Sequence, residues 1–229
     1  MADLIGRLRP WALVLALCWF ALAGAFFGGC DGLFRPAKPE GPALGVTPIR
    51  LVYSDPDSTL ATMALGIEAK GRNNGRDAYL GGLADSTGPE TPAFHQFFDP
   101  FVLDNCRNSP GCVLPPDDWN LLLESPFYGW FSSLRNEEYD LQWIDDPTHP
   151  PTDDDANGIK IRSRKYVVTT LESHTIIAQG FADLTFRLSA QGKWQIARWN
   201  DRVDPDVGVT PSGQQFSLGA RRIQSRSQQ

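Results

Sequence analysis

Apolar and polar residues alternate over the second half of the chain. From Ile176 the even positions read Ile176, Ala178, Gly180, Ala182, Leu184, Phe186 and Leu188, with Gln179, Asp183, Thr185 and Arg187 between them. Period two marks a half-buried strand, because successive side chains of an extended backbone point to opposite faces. A turn at residues 189–192 leads into Trp194, Ile196 and Arg198, a second strand. Leu188 and Phe186 share a face with Trp194 and Ile196 only if the loop has an odd number of residues. The pattern therefore predicts a hairpin over Ala190-Gln191-Gly192, with Gly192 left-handed. That register pairs Leu188 with Trp194 and Phe186 with Ile196. It sets Leu184 opposite Arg198 and Asp183 opposite Trp199, so that Trp199 and Phe181 lie on the second face. Upstream, Tyr139, Leu141 and Trp143 alternate with Asp140 and Gln142. A further strand changes phase, from Ile159 and Ile161 to Tyr166 and Val168, which predicts a bulge between Ser163 and Lys165.

The first half carries helical spacing instead. Leu60, Met63, Ala64 and Ile67 recur on one face, with Asp57 or Ser58 expected as the cap. A second short helix is expected over residues 76–83, with Tyr79, Leu80 and Leu83 inward. Residues 85–116 read as irregular, apart from a short strand within residues 93–98. Asp117 or Asp118 is expected to cap a third helix, with Trp119, Leu122 and Leu123 inward. Pro126 should kink or restart it before Phe127, Trp130, Phe131 and Leu134. The sum is an α+β class. A curved antiparallel sheet, made of a four-strand C-terminal meander plus a short strand, packs against about three N-terminal helices.

The two ends have different compositions. Arg7 and Arg9 precede an apolar run from Trp11 to Phe27, which closes in Gly28-Gly29-Cys30. A basic start, an apolar core and small residues predict a secretory signal over residues 1–29. A cysteine after two small residues resembles a bacterial lipobox, which implies a lipidated Cys30; an uncleaved membrane anchor is the alternative. Phe27 and Asp3 depart from the usual pattern. Either reading puts the body on the exported side of a bacterial membrane, in the cell envelope. Asp31, next to Cys30, leaves inner and outer membrane open. Residues 30–52, rich in proline and glycine, are expected to be a tether. Residues 53–203 are then the domain, and residues 204–229, with Arg221, Arg222 and Arg226 and no acid after Asp206, a loose polar tail.

Export changes the meaning of the cysteines. With Cys18 in the leader and Cys30 lipidated, Cys106 and Cys112 remain. In an oxidising compartment this pair is expected to staple its own loop. A redox or zinc role is disfavoured, because the spacing is not Cys-x-x-Cys and no histidine is near enough in sequence. Net charge is -6, which argues against nucleic acid as a partner.

Candidate chemistry is sparse. Asp153, Asp155, Asn157 and Gly158 match the first half of a calcium loop, but Arg164 stands where its bidentate Glu belongs. An ordinary turn at Asn157-Gly158 is the reading kept, and no metal or other cofactor is assigned. No phosphate loop or nucleophile elbow is present. Of the three histidines, His149 and His174 are placed in a loop and a turn, which leaves His95 as the one that could face a pocket. Asp140 and Asp183 could be pocket carboxylates, though outward-facing positions, with Arg187 beside Asp183, suit them better. No residue is assigned a catalytic role.

The order helix, helix, short strand, helix, meander resembles the nuclear transport factor 2-like superfamily, the cystatin-like α+β cone. The resemblance is carried by Asp77-Ala78-Tyr79-Leu80-Gly81-Gly82-Leu83-Ala84 and by Gly192-Lys193-Trp194-Gln195-Ile196, and covers about residues 54–201. It implies a sheet and helices enclosing a pocket, a scaffold for isomerases, dehydratases, ligand binders and dimerising modules alike. Fold alone therefore does not choose among them. The expectation is a membrane-tethered, non-catalytic domain. It would bind a small apolar ligand, or pair through its outer sheet face with a second copy or an envelope protein. A pocket enzyme using an Asp or His in the cone is the alternative.

Overall fold

The computed structural model describes residues 47–69, 74–85, 93–205 and 216–228. The expected signal, Cys30 and most of the expected tether lie outside them. Thr47 to Gln229 form one unit by internal contacts. The last residues of the expected tether already belong to it. Asn74 holds Ile49 through both its side-chain oxygen and nitrogen, each at 2.8 Å.

Helix α1 (Pro56–Glu68) starts two or three residues earlier than expected. Asp55 is its cap, accepting from the Ser58 amide at 2.8 Å, while Ser58 Oγ accepts from the Asp55 amide. Pro56, whose φ is already helical, fills the first position. Leu60, Met63, Ala64 and Ile67 are buried as the spacing requires. Helix α2 (Gly75–Leu80) and strand β1 (His95–Phe97) follow. An unexpected helix, α3 (Pro100–Arg107), then begins at an Asp99-Pro100 cap. It carries Cys106, which is bonded to Cys112 with a Cα–Cα distance of 5.3 Å. Helix α4 (Leu121–Ser133) is capped by Asn120 rather than by Asp117 or Asp118. Pro126 does not break it. The carbonyl that loses its partner belongs to Leu122, which points outward, 84% exposed, where an inward position was expected.

The sheet comprises β2 (Tyr139–Asp145), β3 (Thr152–Asp154), β4 (Ile159–Thr170), β5 (Ile176–Leu188) and β6 (Trp194–Arg202), besides β1. Its order is β1-β6-β5-β4-β2, with β3 also on β4. The meander is antiparallel throughout, but β1 joins β6 in parallel, so the sheet is mixed.

Two register expectations are corrected. Strand β4 runs straight through Ser163 to Lys165, and its irregularity falls at Val168/Thr169. Its phase change arises because Arg162 and Arg164 occupy the face that Tyr166 and Val168 continue. In β6 the first pairs are as predicted, Leu188 with Trp194 and Phe186 with Ile196. Ala197 is then left without a partner, so Leu184 faces Trp199, not Arg198. This bulge turns Trp199 off the outer face and into the core, where it is buried.

Gly180 permits the other key placement. A Cβ there would lie 2.6 Å from Tyr166 Oη and 2.7 Å from the Arg202 carbonyl. Only glycine lets Tyr166, its register partner on β4, lie across β5.

The tail is the largest correction. Residues 216–228 are not loose; they carry helix α5 (Leu218–Ser227), capped by Ser217. Leu218, Arg222 and Ile223 are buried.

Candidate functional site

The concave side of the sheet, closed by α1, α2, α4 and α5, is packed with aromatic rings. Trp119, Phe127, Tyr128, Phe131, Tyr139, Tyr166 and Trp199 are all buried there. Two carboxylates lie among them. Glu124 comes from α4 and is fully buried with Arg222 of α5. Its Oε1 accepts from Tyr79 Oη and from Arg222 Nη2, both at 2.6 Å. Its Oε2 accepts from Trp119 Nε1 at 2.6 Å and Arg222 Nε at 2.9 Å. The guanidinium lies 4.9 Å from the Phe127 ring centre and 4.7 Å from that of Trp199. Burial works against its charge, but Glu124, with Tyr79 and Asp201 beside it, holds the Arg222 pKa above its usual value.

The second carboxylate is Asp201, at the end of β6. It accepts from Tyr166 Oη at 2.6 Å and from the Gly219 amide at 2.9 Å, while the Leu218 amide donates to Tyr166 Oη at 2.8 Å. Asp201 and Tyr166 therefore hold the first turn of α5, where a helix presents free N–H groups. Burial pushes the Asp201 pKa up. Burial, reinforced by the adjacent carboxylates, pushes the Tyr79 and Tyr166 phenols up as well. Both acids are thus saturated with internal donors, and α5 supplies several of them.

The residues singled out from sequence lie elsewhere. His95 is half-buried and bound to Asp118 at 2.9 Å; the β1 side chain that faces inward is Gln96. His174 sits in a tight turn with φ of 52°. Asp140 accepts from Gln142 at 2.7 Å on the outer face. Asp183 also faces outward, but its cation is Arg202, not Arg187, held by two bonds of 2.8 and 2.9 Å. Ser163 donates a close bond to the same carboxylate. Asp146 extends this row across the sheet. It accepts from Thr148, contacts His149 Nδ1 at 2.9 Å, and meets Arg202 at 3.3 Å. Hydrogen bonds from Thr148, helped by His149 and Arg202, hold its carboxyl well below the usual range. Asp153 of the half calcium loop pairs with Arg162 at 2.6 Å, and Asp155 lies 3.8 Å from Lys160.

A groove of about 470 Å³ runs between the disulfide loop and α5. Val102, the Cys106–Cys112 bridge, Phe216 and Ile223 line it, with Asn105 and Gln224 among its polar groups.

Glu124, Asp201 and Arg222 were missed from sequence. Glu124 leaves one trace, as the lone acid in the apolar stretch Leu121 to Phe127. Arg222 leaves none in a tail rich in polar residues.

No protein-family model matches the chain, and no curated protein matches its sequence. Solved structures of similar architecture do. One is a nuclear transport factor 2-like protein of unknown function from Pseudomonas putida, 8% identical. It covers 72% of this chain and 94% of its own, with a TM-score of 0.44. A cystatin-like-fold protein of unknown function from Nostoc punctiforme is 12% identical, over 67% of this chain and 92% of its own, at a TM-score of 0.41. A function-unknown protein from Mycobacterium tuberculosis is 14% identical, over 75% and 83%, at 0.41. The α+β cone itself rests on the topology above.

Proposed function

We propose that this chain is an exported, lipid-anchored domain without catalytic activity, held at a bacterial membrane through Cys30. It acts by binding a protein, a second copy of itself or an envelope partner, through the outer face of its sheet. The observation that carries this reading is the filled cone. Aromatic rings and Arg222 occupy the space where a substrate would enter, and both interior carboxylates are engaged by the protein's own donors. The outer face, in contrast, presents apolar side chains among charges. Ile144 and Ile161 are 46% and 40% exposed. Phe181 is half-buried, flanked by Lys165 and Arg202 at 5.6 and 5.2 Å. Apolar anchors within a polar rim are what a protein interface needs.

A second reading is favoured by the groove beside the disulfide, whose volume suits a small apolar ligand. Native mass spectrometry of the full chain in mild detergent separates the two. A dimer that reverts to monomer in Ile144→Asp/Ile161→Asp supports the sheet-face reading with a second copy. A monomer whose extra mass leaves on gentle activation supports the groove reading. A bare monomer would sink both the self-pairing and the tight-ligand forms. The anchor is tested separately by metabolic labelling with an alkynyl fatty acid. Label should enter the protein and be absent from Cys30→Ser; equal labelling of the two would contradict lipidation at Cys30.

A further inference from the structure

Every feature that recognises a flat monovalent cation is present inside the cone. The Glu124 carboxylate meets Nε and Nη2 of Arg222 in a fork, the geometry that distinguishes a guanidinium from an ammonium. Tyr79 Oη lies 3.3 Å from Nη2. The rings of Phe127 and Trp199 each take the guanidinium within cation–π distance. Phe127 and Glu124 come from α4, Tyr79 from α2, and Trp199 from β6 through the Ala197 bulge. Three separate elements thus converge on one side chain of a fourth.

The fit of that side chain is incomplete. Among the described residues, Arg222 Nη1 is buried without a hydrogen-bond partner, as are Trp199 Nε1 and Gln96 Oε1. Gln96 and Trp199 are register partners on β1 and β6, and the Trp199 ring lies 4.7 Å from the guanidinium of Arg222. Buried polar atoms left unpaired oppose the docking that buries them. On α5 itself Arg226 Nε is buried unpaired as well. The helix that fills the cone is held by a strong ion pair but carries a desolvation penalty in the same place.

We infer that the cone interior is a guanidinium-binding site that the chain fills in cis with Arg222, and that α5 detaches to admit a ligand carrying a monoalkyl guanidinium. Glu124 would then hold the ligand's fork, and the Phe127 and Trp199 rings would pack against it. This inference leaves the outer sheet face untouched, whereas the groove beside the disulfide, one wall of which is α5, would open with it.

The first test is chemical rescue in the full chain. Arg222→Gly removes the internal ligand and should lower the melting temperature. Ethylguanidinium at millimolar concentration should raise the melting temperature of this variant by about 3 °C. Ethylammonium, of equal charge, and ethylurea, of equal shape, should not, and neither should ethylguanidinium on Glu124→Gln/Arg222→Gly. A folded Arg222→Gly indifferent to ethylguanidinium overturns the site. If that variant does not fold, hydrogen exchange of the wild type decides. The amides of α5 should exchange at least about 10-fold faster than those of β5, as local opening requires. They should quicken further in ethylguanidinium relative to matched ethylammonium. Exchange of α5 at the rate of β5, unchanged by either compound, overturns the proposal.

Discussion

The two faces of the sheet solve the same problem with opposite physics. Inside, Glu124 and Arg222 pair without water. Outside, Asp183 and Arg202 make an equally direct pair that stays about a third exposed to water. The geometry barely distinguishes them, since both are forked contacts under 3 Å. Solvent does. A charge inside cannot be rehydrated when its partner is lost, so breaking the pair costs far more than the pair is worth. A charge outside turns to water. The difference extends to proton affinity. Burial raises the pKa of Asp201 on the inner side, whereas donors lower that of Asp146 on the outer side.

Removal of one interior partner is the harshest test of this contrast. Glu124→Ala leaves Arg222 charged and takes the acceptor from Tyr79 and Trp119 as well. A loss of about 3–5 kcal/mol is expected, read from the midpoint of urea unfolding. A loss below 1 kcal/mol would mean that water reaches the pair. Gly180→Ala comes next. The added methyl meets Tyr166 and the Arg202 carbonyl, and overpacking of this kind costs about 1–3 kcal/mol. Because Tyr166 also holds α5, the variant should loosen that helix too, visible as faster exchange of its amides. The outer pair should matter least. Arg202→Ala is expected to cost about 1 kcal/mol or less, and a larger loss would erase the distinction between the faces.

The pH dependence sharpens the same contrast. A carboxylate with a lowered pKa contributes stability that is present above 3.8 and lost as pH falls below it, which is the case for Asp146. Asp201 has the opposite sign. Its raised pKa means that the folded state holds the proton more tightly, so its contribution fades as pH rises above 3.8. Melting temperatures from pH 3 to 7 should show Asp146→Asn losing part of the gain that wild type makes with rising pH. Asp201→Asn should steepen that gain. Identical profiles for the two variants would contradict the assignment.

Much of the fold is legible along the chain because it is local. The alternation from Ile176 to Leu188 and the stripe at Leu60, Met63, Ala64 and Ile67 give their elements and buried faces directly. The Cys106–Cys112 staple was expected from its spacing and is present. The α3 helix was also local, signalled by Asp99-Pro100, and was overlooked among the turn-forming residues that follow it. What lies beyond the sequence is long-range. The Ala197 bulge reverses Trp199, and nothing near Trp199 announces it. Arg222 belongs to Glu124, 98 positions away, and a tail with three arginines reads as solvated until the partner is known. The interior of the cone was therefore out of reach, while its scaffold was not.

A double-mutant cycle on the full chain tests the central claim, that α5 fills the cone through a buried pair. Glu124→Gln, Arg222→Met and their combination would be compared by urea unfolding. The account predicts that the double variant is more stable than either single one, with a coupling of at least about 2 kcal/mol. Additive losses, as expected of two residues that do not share a dry contact, would contradict it.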